Sequence, residues 1–408
     1  MNVTTENQEM DRQNRFSRSD QIKMPRTVWA LGLVSLFMDL SSEIVHALLP
    51  LFLTATLGVS VAMVGLIDGV AESTASISKV FSGYISDRIG RRKPLLLVGY
   101  GLGALSKPFF PLAGSAVEVL GARFADRIGK GIRGAPRDAL VADVAPPAIR
   151  GRAFGLRQAL DTVGAFAGPL LAIGLMLLLA NDIRAVFWIA IVPAILAVLC
   201  VVFAVEDRKA GPEPQRRPPV RLSELRRLPS AFWRVVTIGV VFTLARFSEA
   251  FLILKASAEG LPLALAPLVL VVMNVVYALG AYPAGALSDR WRARSLLLWG
   301  LLFLAGADLA LAFLSGVAGA FLGIALWGVH MAVTQGLLAK LVADHAPDEI
   351  RGSAFGLFNL ATGLALLLAS VVAGLLWDGL GPQATFIAGA TFATLAFVLL
   401  AGSRDPSF

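Results

Sequence analysis

The chain has 408 residues, of which 56% are hydrophobic and 16% are charged, and its mean hydropathy is +0.73. A soluble protein would carry about 25% charged residues, so this composition excludes an ordinary soluble enzyme and indicates a membrane protein. We attribute the net charge of +8 to loops on one face of a membrane, and we expect no nucleic-acid partner.

Twelve apolar stretches are each long enough, at about 17–25 residues, to cross a bilayer as a helix. They do not alternate as the strands of a membrane barrel would, so the predicted fold is an all-α bundle. The predicted helices span roughly 27–53, 62–86, 94–112, 116–138, 153–179, 185–205, 233–256, 263–287, 295–314, 317–340, 353–377 and 385–402.

The polar segments predict the orientation of the bundle. The first 26 residues are polar, and the apolar run after them is too long for a signal-peptide core, so we expect no cleaved signal. Basic residues crowd the N-terminal tail and the even-numbered loops, whereas the odd-numbered loops carry few. The positive-inside rule then places both termini in the cytoplasm, with the chain in the inner membrane.

One long polar stretch divides the chain. Residues 206–232 are rich in Pro and Arg and contain no apolar run. We therefore predict a cytoplasmic tail at 1–26, a six-helix half at 27–205, a cytoplasmic linker at 206–232 and a second six-helix half at 233–408. A short surface helix is expected at 222–230, and the rest of the linker should be extended.

Helix one carries ionisable residues on one face. Asp39, Glu43 and His46 are spaced by four and three residues, which places them on the same side of the helix. Ionisable side chains at the bilayer centre cost about 2.5–3.5 kcal/mol each, so they usually face a pathway or a partner. Since two neighbouring acids disfavour joint ionisation, we expect Asp39 or Glu43 to bind a proton. His46 is either a second proton carrier or a polar residue with a bonded partner.

Helices two and four carry opposite charges. Asp68, Glu72 and Lys79 share a face of helix two, where the acids either bind protons or face helix eleven across the interface between the halves. Helix four carries a basic stripe formed by Arg123, Arg127 and Lys130. Asp126 lies beside these cations in sequence and is predicted to be a structural acid.

Other polar residues inside the predicted helices extend the candidate site. The proton-coupling candidates are Asp39, Glu43, His46, Asp161 and Glu249. The candidates for the substrate cavity are Arg127, Lys130, Arg246, Asn274, Tyr277 and Gln335. Asp308 and His330 are isolated in their helices. Polar residues such as these also hold helices together, so a structural role is the alternative for each.

An internal repeat relates the two halves. Residues 140–156 read LVADVAPPAIRGRAFGL and residues 341–357 read LVADHAPDEIRGSAFGL, with thirteen of seventeen positions identical. Residues 83–88, GYISDR, recur at nearly the same offset as GALSDR at 285–290. Both repeats face the same side, so the halves are parallel repeats, an arrangement typical of transporters that bind substrate between the halves.

These motifs resemble those of the major facilitator superfamily. The run GYISDRIGRRK at 83–93 resembles the signature loop between helices two and three. The run RIGKGIRGA at 127–135 resembles the fourth-helix arginine motif, with Lys130 where many members have Gln. Gly155, Gly164, Gly168 and Pro169 resemble the fifth-helix motif of the exporting branches, although Ala172 and Ile173 stand where a further glycine pair is usual.

The resemblance implies a latch that holds the cytoplasmic side closed; a loop that only sets topology is the alternative. The expected gate residues are Gly83, Asp87, Arg88, Arg91, Asp143, Arg150, Asp289, Arg290, Asp344 and Arg351. In the helix-five motif, Gly164, Gly168 and Pro169 would allow close packing and a bend, and they imply export. Arg127 is the expected counter-charge for the helix-one acids, because helices one and four adjoin the cavity in transporters that this chain resembles.

The function expected from these features is secondary active transport. The chain lacks the GxxxxGK[S/T] phosphate loop, so an ion gradient must drive any uphill movement. We expect export of a small solute in exchange for protons, by a monomer without cofactor or metal. Na⁺ is the alternative coupling ion. Proton-coupled uptake and export of a siderophore or metal are the alternatives. A membrane enzyme is not favoured, because the chain has no HExxH and no CxxC, and a sensor is not favoured without an added soluble domain.

Overall fold

Long apolar runs form helices here because backbone groups within a bilayer must bond along their own segment. The computed structural model describes residues 23–89, 91–207, 228–288, 290–347 and 351–402, without the side chains at 80, 83, 84, 87–89, 351–353 and 402. The long helices are α1 (Arg26–Leu51), α2 (Val61–Ile89), α3 (Lys93–Ser106), α4 (Ala116–Val144), α5 (Arg150–Leu178), α6 (Ile183–Ala204), α7 in two segments (Ser230–Ala245 and Ala250–Ala258), α8 (Leu268–Ser288), α9 (Ala293–Phe313), α10 (Gly316–His345), α11 (Arg351–Leu380) and α12 (Pro382–Gly402). Short helical turns at Phe52–Thr56, Phe109–Leu112, Pro147–Ile149 and Leu263–Leu265 extend or connect them.

The prediction of an all-α fold with about twelve membrane helices is confirmed over the described residues. The predicted tail 1–26 and linker 206–232 fall mostly outside them, as does most of the surface helix expected at 222–230, so those boundaries stay predictions. α4 and α10 extend to Val144 and His345, beyond the predicted ends at 138 and 340. Helical bonding continues through the polar residues that follow the apolar layer.

Eleven helices in the described part of the chain are long and apolar enough to cross a membrane, and α4 is not among them. Its buried residues include Arg123, Asp126, Arg127 and Arg133, which lower its hydropathy. α4 can still lie in the bundle because these charges face other helices, where most of them find partners.

The same neighbours recur in each half. α1 packs on α5, α2 on α4, α3 on α4 and α3 on α6. In the second half α7 packs on α11, α8 on α10, α9 on α10 and α9 on α12, which is the same set shifted by six helices. The packing therefore reproduces the repeat seen in the sequence.

The halves meet most extensively where α2 packs against α11. We call the end of the bundle with the start of α1 and the end of α6 the linker end, and the end with the start of α2 and the end of α11 the far end. A Cβ atom on Gly65 would lie 2.2 Å from the Ser370 carbonyl oxygen, and one on Gly374 would lie 2.5 Å from the Cα of Ala62. Glycine at these positions lets the two backbones approach closely towards the far end.

Candidate functional site

Two ion pairs join α2 to α4. Arg123 Nη2 lies 3.3 Å from Asp68 Oδ1, and Arg127 Nη1 lies 3.4 Å from Glu72 Oε1. The acids are four residues apart on one helix and the arginines four apart on the other, so neighbouring helices present matching rows of charge. Arg123 and Asp68 are buried, whereas 40% of the Glu72 side chain is exposed. Of the two pairs, only the Glu72 pair is therefore open to a solute.

Asp68 also connects the halves. Its second oxygen accepts a hydrogen bond of 2.6 Å from Ser248 Oγ, and the Ser248 backbone N–H donates to Ser370 Oγ at 3.1 Å. The sequence left open whether Asp68 and Glu72 face helix eleven. In the structure α2 packs on α11, but the bonded partners of these acids lie on α4 and α7.

Ser248 lies in a break in α7, which was predicted to be continuous from 233 to 256. The first segment ends at Ala245 and the second begins at Ala250, whose N–H donates to Ser248 Oγ at 3.1 Å. This bond satisfies one of the backbone N–H groups that the start of a helix leaves without an intrahelical partner. Arg246 and Glu249 flank the break on either side of Ser248, so two predicted site residues lie at an irregular segment between the halves.

Asp126 is a structural acid with a partner other than the predicted ones. Lys107 Nζ donates to Asp126 Oδ1 at 2.9 Å and to Ser42 Oγ at 3.1 Å, and both charged side chains are 1% exposed. Arg127 is more distant, with Nε 3.9 Å from Asp126 Oδ2. Sequence reasoning missed Lys107, although an ionisable residue inside predicted helix three is the kind of signal that could have found it.

The acids of α1 do not pair with each other. Glu43 Oε2 lies 3.4 Å from His46 Nδ1. Asp39 instead interacts with Asp161 on α5, across the contact between α1 and α5. The expectation that Asp39 and Glu43 form the interacting pair is therefore corrected, since helix packing brings Asp39 to a different acid.

Cations on two helices surround Asp161. Arg137 Nη1 lies 3.2 Å from Asp161 Oδ1 and also donates to Ser35 Oγ at 3.0 Å. Arg157 Nη1 lies 3.5 Å from Asp161 Oδ2. Lys130 is exposed on α4 and interacts electrostatically with Asp39. The two carboxyl groups thus sit in a basic setting that favours charge on at least one of them.

Glycines of the helix-five motif create this contact. A Cβ atom on Gly164 would lie 2.4 Å from the Leu36 carbonyl oxygen, and one on Gly168 would lie 2.6 Å from Glu43 Cβ. Pro169 lies inside α5 and is buried. Gly155 differs, because it is exposed and no atom lies within 4 Å of a Cβ placed on it. The close approach of α5 to α1 therefore depends on Gly164 and Gly168.

A cavity of about 310 Å³ lies between α2, α7, α10 and α11. Its polar lining consists of Glu72, Ser76, Thr243, Arg246, His330, Thr334, Gln335, Asn359 and Thr362. Its aromatic lining consists of Phe242, Phe355 and Phe358. Of the predicted cavity residues, Arg246 and Gln335 line it. The others do not line it: Arg127 and Lys130 on α4, and Asn274 and Tyr277 on α8. Arg127 pairs with the lining residue Glu72.

Two isolated residues of the second half have different surroundings. His330 Nδ1 lies 2.8 Å from the Gly300 carbonyl oxygen, and its ring stacks on Phe242 at 6.3 Å between centroids. Asp308 is fully buried, and neither carboxylate oxygen has a hydrogen-bond partner among the described residues. Within that part of the chain, no group of three or more His, Cys, Asp and Glu side chains could hold a metal ion.

The predicted latch is described only in part. The surroundings of Gly83 and the side chains of Asp87, Arg88 and Arg351 are not described, and Asp289 lies wholly outside the described residues. The remaining gate candidates at the linker-end surface are Arg91, Asp143, Arg150, Arg290 and Asp344. Asp143 Oδ2 lies 3.5 Å from Arg92 Nε, a contact within the first half. The latch therefore stays a prediction.

Comparisons with known proteins agree with this architecture. The sequence model of the Major Facilitator Superfamily matches residues 31–274 and 253–407. An uncharacterised MFS-type transporter of Methanocaldococcus jannaschii is 31% identical over 384 residues, which cover 93% of this chain and 95% of that protein. Multidrug resistance protein MdtH of Aeromonas hydrophila is 26% identical over 354 residues, which cover 86% of this chain and 87% of that protein.

Among solved structures, a mutant form of the nucleoside transporter NupG superposes with a TM-score of 0.79. The match covers 93% of this chain and 100% of that chain, at 11% sequence identity. Similarity at this level of identity demonstrates a shared fold and nothing about the solute.

Proposed function

Because this chain belongs to the Major Facilitator Superfamily and is therefore a secondary transporter rather than an enzyme, we propose that it exports a small organic solute in exchange for protons. The proposed path runs through the cavity between the halves, which Glu72 lines from the first half and Arg246 from the second. Alternating access of this cavity to the two sides of the membrane would move the solute.

The contact between Asp39 and Asp161 is the observation that carries proton coupling. Two neighbouring carboxyl groups repel each other when both are charged, so binding of a proton to one of them is favoured. Arg137 and Arg157 stabilise charge on Asp161, which leaves Asp39 as the proposed proton carrier. Glu43, His46 and Glu249 are secondary candidates, and His46 interacts electrostatically with Glu249.

Two observations support export. Gly164, Gly168 and Pro169 resemble the helix-five motif of exporting branches, and in this chain the two glycines form the contact that positions Asp39. The relative from Aeromonas hydrophila is named a multidrug resistance protein. Proton-coupled uptake and export of a siderophore or metal remain the alternative functions.

The proposed orientation places the linker end in the cytoplasm and the chain in the inner membrane, as a monomer. The support is the concentration of basic residues in the tail and the even-numbered loops. In this orientation the cavity lies towards the cytoplasm, because its lining on α10 and α11 comes from the linker-end portions of those helices. A solute for export would enter from that side.

Proton exchange can be measured in everted membrane vesicles that respiration acidifies inside. An acridine dye reports the pH gradient, and the compounds to add are those to which overexpression confers growth resistance. Export by antiport predicts that a transported compound partly collapses the gradient in wild-type vesicles, and that Asp39→Asn abolishes this effect.

Asp182→Asn is the control, because Asp182 caps α6 at the far end, away from Asp39 and Asp161. A compound that wild-type vesicles accumulate without any change in the pH gradient would contradict antiport.

A further inference from the structure

The cavity receives one acidic and one basic side chain from opposite halves. Glu72 comes from α2, and Arg246 comes from the break in α7. Phe242, Phe355 and Phe358 provide apolar surface around them. A pocket with convergent polar groups on an apolar wall is the usual form of a site for a small organic molecule.

Arg246 has no bonded counter-ion within the described part of the chain. Its side chain makes no hydrogen bond or ion pair with any residue that the structure describes. Glu249 lies close enough to interact with it electrostatically, but no hydrogen bond joins them. An unpaired cation in a partly apolar site is costly, and a planar guanidinium matches a carboxylate or phosphate. Arg246 is therefore suited to an acidic group of a ligand.

Glu72 has one oxygen occupied and one available. Its Oε1 faces Arg127 at 3.4 Å, and 40% of its side chain is exposed. Lys130 interacts electrostatically with both Glu72 and Asp39.

We propose that this cavity binds an amphoteric organic molecule, with its amine at Glu72, its acidic group at Arg246 and an apolar or aromatic body against the three phenylalanines. This inference rests on the proposed function and names the substrate class of the same site. The two charged ends bind to different halves, so a bound molecule bridges the halves that must move relative to each other.

Three probes with the same aromatic ring separate the contributions of charge. Naphthylalanine carries both groups, naphthylpropionate only the acid and naphthylethylammonium only the amine. Binding to the purified full-length protein is measured by titration calorimetry at neutral pH without any proton gradient. We expect naphthylalanine to bind the wild type at least about tenfold more tightly than either singly charged probe, the scale of one lost charge-assisted hydrogen bond.

Two variants test which side chain binds the acidic group of the ligand and which binds its amine. Arg246→Gln should weaken naphthylalanine and naphthylpropionate at least about tenfold and leave naphthylethylammonium within about twofold. Glu72→Gln should weaken naphthylalanine and naphthylethylammonium at least about tenfold and leave naphthylpropionate within about twofold. Arg26→Gln removes an exposed positive charge at the start of α1 and should bind all three probes as the wild type does.

Equal affinity of the wild type for all three probes, or no binding of naphthylalanine, would overturn the proposal. Arg246→Gln or Glu72→Gln would also overturn the proposal if the variant kept the wild-type unfolding temperature but lost affinity equally for both singly charged probes. The outcome is separate from that of the proposed function. If naphthylalanine binds as expected but its flux ignores a pH gradient, only proton antiport fails.

Discussion

The pair formed by Lys107 and Asp126 is the most deeply buried ionic contact described in the first half. Each side chain is 1% exposed, and the pair joins α3 to α4 while Ser42 adds a contact with α1. Removing two charges from water is expensive, and the cost is recovered only when both partners are present. The pair therefore stabilises the fold only when α1, α3 and α4 are packed together correctly.

Lys107→Met should lower stability by about 3–5 kcal/mol, because it leaves the Asp126 carboxylate buried without its partner. The double variant Lys107→Met with Asp126→Leu should recover most of that loss, since no unpaired charge remains. Unfolding of the purified protein in detergent, followed by tryptophan fluorescence, measures both. A double variant less stable than the single one would contradict this account.

The sequence identified buried charges but not their partners. Asp39, Asp68, Glu72, Arg123 and Arg127 could be singled out because ionisable residues are rare in apolar helices. Their pairing depends on which helix faces meet, and this is decided by packing at glycines and not by spacing along one helix. The contact of Asp39 with Asp161 and the role of Lys107 could therefore not be read from the sequence.

At the scale of elements, the contact of α1 with α5 positions the proposed proton site. Gly164→Ala would place a methyl group against the Leu36 carbonyl oxygen, and backbone cannot move aside easily. We expect a loss of about 1–3 kcal/mol in stability and reduced transport, because α5 must shift and Asp161 with it. Unfolding temperature and vesicle transport measure the two effects.

Gly155→Ala is the matched control on the same helix. No atom lies within 4 Å of a Cβ at Gly155, so this change should be neutral or stabilising by up to about 1 kcal/mol. Equal effects of the two substitutions would show that close packing at Gly164 is unimportant.

Asp378 links the halves at the far end. Its two carboxylate oxygens accept hydrogen bonds of 3.0 and 2.8 Å from the N–H groups of Val61 and Ala62, at the start of α2. A carboxylate at a helix N-terminus is favourable, and this one comes from α11 in the other half. Asp378→Ala should therefore weaken closure at the far end.

The measurement is the distance between spin labels at Ser60 and Leu380, with Cys200 replaced by serine. We expect Asp378→Ala to add a population with a longer distance than the wild type has. Asp182→Ala removes a cap of α6 within one half and should leave the distances unchanged. An unaltered distribution in Asp378→Ala would mean that the cap does not hold the halves together.

Glu259 connects the second segment of α7 to the start of α10 at the far end. Its pKa lies below the usual value, chiefly because of the side-chain hydrogen bond with Lys255 and then the bond of 2.6 Å from the Gly316 N–H. A carboxyl group with a lowered pKa stabilises the fold above its ordinary pKa of about 4.3, and this contribution is lost as the pH falls through the lowered value.

Glu259→Gln should therefore reduce the unfolding temperature at neutral pH, by the equivalent of about 1 kcal/mol at most, as for a helix cap. The difference from the wild type should shrink as the pH falls below about 4. Unfolding temperatures of both proteins across this range test the prediction, and a difference that is constant with pH would contradict it.

At the scale of the whole molecule, the repeat made the architecture predictable. The paired segments at 140–156 and 341–357 indicated parallel halves, and the packing of α7 to α12 repeats that of α1 to α6. The break in α7 could not be predicted, because no Pro or Gly marks residues 246–249. Ser248 lies in this break, and its bond to Asp68 forms only when the halves are assembled.

The central claim is that Asp39, at its contact with Asp161, couples transport to the proton gradient. The most direct test is flux in proteoliposomes of the compound found by the vesicle assay, with and without a pH gradient, for the wild type, Asp39→Asn and Glu43→Gln. We predict that Asp39→Asn abolishes accumulation driven by the pH gradient but retains exchange of substrate down its own gradient, because exchange needs no proton turnover. Glu43 pairs with His46, so Glu43→Gln should retain accumulation. Accumulation by Asp39→Asn equal to that of the wild type would contradict the claim.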